Sequence, residues 1–94
     1  MNDKIFYSVV INEVIFDLKL RAVISDKLYD ATTFSDYWDA VNYCDKIINK
    51  KLIPENGKVV IKVPKIFKED NFLYSRDITP GMYSLENQLG RSGL

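Results

Sequence analysis

Histidine is absent from the 94 residues, and cysteine occurs once, at Cys44. The chain therefore lacks the commonest general base and the commonest metal ligand. A single thiol can make neither an internal disulfide nor a cysteine-rich zinc site. The four glycines, Gly57, Gly81, Gly90 and Gly93, are scattered. No glycine-rich loop joins a strand to a helix, so the phosphate cradle of the common nucleotide enzymes is missing. There is no Gly-x-Ser-x-Gly elbow to present a serine nucleophile. Net charge is missing too, because thirteen Lys and Arg balance thirteen Asp and Glu. That balance excludes a strongly basic chromatin-type protein and an extended acidic mimic of DNA. No apolar run approaches the ~20 residues of a membrane-crossing helix. Met1 to Lys4 lead straight into a strand-like run without the features of a signal peptide, and a cytoplasmic setting is expected.

The residues that are present describe one small domain. Hydrophobic residues make up 47% and charged residues 28%, the balance of a globular chain with a single core. Lys4 to Ile11 is apolar apart from Ser8 and rich in β-branched and aromatic side chains, which predicts a strand. Asn12 and Glu13 are placed at a tight hairpin turn. From Val14 to Ile24 the even positions are apolar, while Asp17, Lys19 and Arg21 are charged. This is the period of a strand with one buried and one wet face.

A loop is expected over Ser25 to Thr33, then a helix over about 34–51, with Thr33 or Ser35 as its cap. Asp36 and Asp39 near its start and Lys46, Lys50 and Lys51 near its end suit the helix dipole. Tyr37, Val41, Cys44 and Ile48 form one apolar stripe. Trp38 lies beside it and is expected in the core. Pro54 and Gly57 stop the helix. Lys58 to Val63 is the third strand, ended or marked as an edge by Pro64. Phe72 to Ser75 offers a short further strand, Asp77 to Gly81 a turn, and Met82 to Leu89 two turns of helix.

The expected fold is a small α+β two-layer sandwich in ββαβ order, with one main helix and an irregular C-terminal segment. Residues 1–94 form a single domain, with the compact core in about 4–68 and a C-terminal extension in 69–94. A right-handed crossover would set the third strand parallel to the second. The core is expected to combine the even positions of the second strand, the odd positions of the third and the helix stripe.

Cys44 falls in mid-helix on the apolar stripe, away from any histidine or helix N-terminus that would activate it, so it reads as a structural thiol. Asp36 with Asp39, and Asp26 with Asp30 if that loop is helical, could pair carboxylates. Neither has the spacing of a calcium loop, and the helix dipole accounts for the first pair. No catalytic residue, metal or cofactor is assigned.

Charge is unevenly spread, since residues 58–68 hold four lysines and no acid. Lys58 and Lys62 on the third strand and Lys19 and Arg21 on the second could line an open sheet face. Tyr7, or Phe6 and Val10, would add stacking or apolar surface, an arrangement suited to single-stranded nucleic acid. Lysines on an exposed strand also guard against edge-to-edge aggregation. The C-terminal third concentrates Tyr74, Arg76, Met82 and Tyr83, residue types that anchor protein interfaces. It either folds back over the sheet or forms a partner surface, and truncation after Lys68 is expected to leave a folded core.

Ten Ile, ten Lys and seven Asn, the short length and the missing catalytic sets are similar to many small accessory proteins of bacteriophages and mobile elements. The similarity is one of type and assigns no residue a role. It implies a non-enzymatic protein-binding module that inhibits or regulates by steric occlusion of a host protein; residue type makes Tyr74, Arg76, Met82 and Tyr83 the expected contacts. A homodimer is a further expectation. The alternative is a small nucleic-acid-binding protein using Lys19, Arg21, Lys58 and Lys62.

Overall fold

The computed structural model describes residues 4–48, 52–70 and 74–91. It is a small mixed α+β protein. Five strands form one curled antiparallel sheet: β1 (Ile5–Asp17), β2 (Ala22–Leu28), β3 (Thr32–Phe34), β4 (Lys58–Asp70) and β5 (Tyr74–Asp77). The main helix is α1 (Tyr37–Ile48). A single 3₁₀ turn (Gly81–Tyr83) precedes a short helix, α2 (Leu85–Arg91). The hydrogen-bonded order is β2-β1-β4-β5, and β3 pairs with the first half of β1 on the same edge as β2.

β1 runs straight through the expected hairpin. A two-residue turn needs positive φ at both central positions, and Asn12 and Glu13 remain extended in the ladder opposite Val63 and Lys62. The chain turns at Leu18–Arg21 instead. Asp17 Oδ1 accepts the Lys19 and Leu20 amides, both at 2.9 Å, and Arg21 N–H donates to the Asp17 carbonyl at 2.7 Å. Arg21 takes up the positive φ of 54°. An Asp side chain that captures the next two amides stabilises a turn locally, so the alternation of Val14 to Ile24 spans two strands and the bend between them.

A second tight turn precedes β4. Asn56 and Gly57 both have positive φ (54° and 74°), and Glu55 and Lys58 exchange amide-to-carbonyl bonds of 2.8 and 3.0 Å. This is the Asn-Gly hairpin chemistry, not a helix stop. The helix occupies Tyr37–Ile48, shorter than 34–51 at its N-terminus because Thr33 and Phe34 pair with Ser8 and Tyr7. Lys50 and Lys51 lie outside the described residues.

Residues directly opposite in a ladder share a face, and the apolar residues of β1 and β4 change face midway. Val9 with Ile66 packs on one face beneath Ala40 and Cys44 of α1, joined by Ile11 and Tyr83. Val14 with Ile61 and Phe16 with Val59 pack on the opposite face, against Leu85 and Leu89 of α2. The expected joining of Val14, Phe16, Val59 and Ile61 is present. The helix stripe, however, packs on the other side of the sheet. β4 runs antiparallel to β1 and in the same sense as β2, with β1 between them.

The C-terminal segment is part of this core, which corrects the confinement of the core to 4–68. Tyr83 is fully buried, and its hydroxyl donates to Asp45 Oδ1 at 2.7 Å with the Val41 carbonyl 3.3 Å away. The segment also seals the outer edge of β4. Ile78 N–H donates to the Ile66 carbonyl, Ile66 N–H donates to Thr79 Oγ1, and Gln88 Nε2 donates to the Lys62 carbonyl, at 2.8–2.9 Å. Pro64 lies between Lys62 and Ile66 on the same period-two edge, where its missing N–H leaves no ladder bond unmade. Trp38 is 65% exposed because position 38 lies off the arc of Ala40 and Cys44 that faces the sheet.

Tyr83→Ala is therefore expected to cost about 3–5 kcal/mol, and Trp38→Ala within about 0.5 kcal/mol. Urea midpoints of the two variants check the assignment, and equal losses would refute it. A chain cut after Lys68 is expected to be unfolded by near-ultraviolet circular dichroism.

Candidate interaction surface

The two helices cover opposite faces of opposite halves of the sheet, so each half keeps one bare face. The face beneath α1 continues past the helix N-terminus toward the start of β1. Two ladder rows cross it there. The first holds Tyr7, Lys68 and Arg76, and the second holds Ile5, Asp70 and Tyr74. Tyr74 and Arg76, two residues apart on β5, point to this face, and Tyr74 is 71% exposed. An aromatic chain links the sheet to the helix. The Tyr7 and Tyr37 rings stand edge to face at 5.7 Å, and those of Tyr37 and Trp38 at 5.1 Å. Such geometry favours the pairs beyond their buried area.

The electrostatics of the first row are unusual. Lys68 and Arg76 are directly opposite across the β4–β5 ladder, where like charges destabilise a pair. Neither makes an ion pair among the described residues. Asp70 shares this face in the second row without an ion pair to either cation, and two other nearby acids are engaged elsewhere. Glu69 points to the other face and accepts the Ser8 and Ser75 hydroxyls at 3.0 and 3.3 Å. Asp77 accepts the Thr79 amide at 2.9 Å and the Thr79 hydroxyl. These bonds, the hydroxyl first, hold the Asp77 carboxyl below the ordinary carboxylate range.

The sequence-derived contact set divides. Tyr74 and Arg76 lie on this surface. Met82 is exposed in the 3₁₀ turn, and Tyr83 is in the core, so its hydroxyl and ring are already occupied. Trp38, Tyr7 and Lys68 complete the surface. Lys68 belongs to the lysine-rich run, but only the β5 register brings it beside Arg76.

The alternative cationic set does not form a row on the sheet. Lys19 lies in the β1–β2 turn and Arg21 at its positive-φ position, not on an outward strand face. Lys58 and Lys62 do share a face, with Lys58 opposite Asp17 and Lys62 Nζ 3.7 Å from Glu13 Oε2. Acids thus interrupt the basic stripe.

Reactive chemistry finds no support in the remaining groups. Cys44 is fully buried, and burial, reinforced by Asp45, pushes its thiol up to about 12. Burial and the Asp45 bond raise the Tyr83 phenol. Asp26 is on β2 and Asp30 in the connector beyond it, so no helix face joins them. Among the described residues no three potential ligating side chains cluster, and no helix is long and apolar enough to cross a membrane. Compared with protein-family models, curated proteins and solved structures, the chain matches none.

The depressed Asp77 pKa has a sign that can be read out. Its contribution is present above the ordinary carboxylate range and is lost as pH falls through the lowered value. The stability gap between the protein and Asp77→Asn should be constant above the ordinary carboxylate range and shrink as pH falls below it. Urea unfolding across that range measures it. A gap undiminished at the acid end would show that the Asp77 charge contributes nothing.

Proposed function

We propose that the protein is a non-enzymatic binding module that receives another protein on the surface built from Tyr7, Tyr37, Trp38, Lys68, Tyr74 and Arg76. A module seated there acts by covering its partner's surface, which is how a small accessory inhibitor or regulator occludes a host protein. The setting is the cytoplasm, where a lone unpaired thiol is ordinary.

The observation that carries this reading is an exposed Trp38, joined through Tyr37 to Tyr7, at the end of the sheet where Lys68 and Arg76 stand opposite each other without an ion pair. Trp, Tyr and Arg are the residues that most often dominate binding energy. Large aromatic side chains left in water on a small domain find their ordinary explanation in an interface. The nucleic-acid alternative needs a continuous cationic track along a phosphate backbone. Here Asp17 and Glu13 break the Lys58–Lys62 row.

A pull-down with the tagged chain, with and without nuclease, tests the reading. A stoichiometric protein that survives nuclease is the expected result. Trp38→Ala combined with Arg76→Glu should weaken its capture by about 2 kcal/mol or more with the thermal midpoint nearly unchanged. Capture indifferent to both substitutions would place the interface elsewhere. Material lost on nuclease treatment would favour nucleic acid.

A further inference from the structure

We propose that the protein seated on this surface is a second copy of the chain, related by a two-fold axis passing close to Trp38. The inference rests on the protein-binding reading and names its occupant.

The surface carries opposite charges at its two margins. Across the sheet the order at this end is β3, β1, β4, β5. α1 leaves from the β3 margin two residues after Phe34, with Asp36 just before its first residue and Asp39 in its first turn. These residues are three apart at the helix start, where the Ala40 amide donates to the Asp36 carbonyl. Both are exposed, and neither carboxylate has a hydrogen bond or ion pair among the described residues. Lys68 and Arg76 occupy the β4–β5 margin, also without ionic partners. The aromatic chain of Tyr7, Tyr37 and Trp38 lies between the margins.

The flank of α1 that carries Trp38 looks toward β5. Trp38, Val41 and Asp45 recur at i, i+3 and i+7, which is one flank of a helix. The Asp45 carboxylate and Val41 carbonyl of that flank meet the Tyr83 hydroxyl from the segment that follows β5. Trp38 thus lies on the flank of α1 turned to the β5 side, joined to Tyr7 through Tyr37.

A two-fold axis through the aromatic middle sets the acidic margin of each copy against the cationic margin of the other. An isologous interface makes every such contact twice. One arrangement then answers the opposed Lys68–Arg76 pair, the free Asp36–Asp39 pair and the exposed rings together. A zero net charge adds no long-range repulsion between copies.

The test is sedimentation equilibrium of the full chain from low to several hundred micromolar, with Trp38 emission followed over the same range. The expected result is a species of twice 10.9 kDa and a blue shift of Trp38 as it is covered. Arg76→Glu or Asp39→Lys alone should weaken the dimer about tenfold or more. The two together should restore it, because the swapped charges meet across the axis. All these positions are exposed, and circular dichroism confirms that each variant is folded. A monomer at every concentration overturns the inference, as does a double variant no tighter than the singles. A monomer that still captures a nuclease-resistant protein through Trp38 and Arg76 rejects the second copy but leaves the protein-binding reading standing. A monomer that captures nothing rejects both.

Discussion

The rest of the structure depends on the unbroken ladder between β1 and β4, from Ile5 opposite Asp70 to Asp17 opposite Lys58. Both strands are apolar on both faces, and both faces need covering for the hydrophobic gain to be realised. One main helix cannot do this. The chain solves the problem diagonally: α1 covers one face of one half, and α2 with Leu85 and Leu89 covers the other face of the other half. Uncovered quadrants follow from that arrangement. The exposed aromatic and charged residues lie on the face that α1 covers, at the margin the helix leaves open beyond its N-terminus.

The same constraint explains the C-terminal third. Once β4 is central along part of its length, its outer carbonyls and amides need partners. β5 supplies them only over 67–70. Beyond that, the Ile78 amide, the Thr79 hydroxyl and the Gln88 amide take over one at a time. Tyr83 anchors this strap to α1 through Asp45. A segment expected to be irregular is a short strand, a 3₁₀ turn and a short helix, as much a part of the fold as the rest of the sheet.

The helix stripe of Tyr37, Val41, Cys44 and Ile48, and the sharing of a face by Val14, Phe16, Val59 and Ile61, were legible because periodicity reports sidedness directly. The place of the first hairpin was not, because Asp17 creates its turn through side-chain capture, which leaves the apolar alternation intact across the bend. The second turn was expected only as a helix stop at Pro54 and Gly57, although Asn56-Gly57, with their joint preference for positive φ, carry the strongest hairpin cue in the chain. Trp38 was misplaced because hydrophobicity alone does not set its angle on the helix. Tyr83 and Arg76 were both expected as interface contacts but differ wholly in burial. Only the β5 register and the strap, both non-local, separate them. The pairing of Lys68 with Arg76 is non-local in the same way.

The ladder also orders the chain's folding in time. Ile5 pairs with Asp70, so the β4-facing edge at the start of β1 has no partner until almost three quarters of the sequence has been made. Contacts of such separation pay their loop-closure entropy before any burial rewards it. A growing chain therefore carries a long apolar strand exposed on both faces through most of its synthesis. The early hairpin locked by Asp17 gives that strand one occupied edge while the other waits for β4.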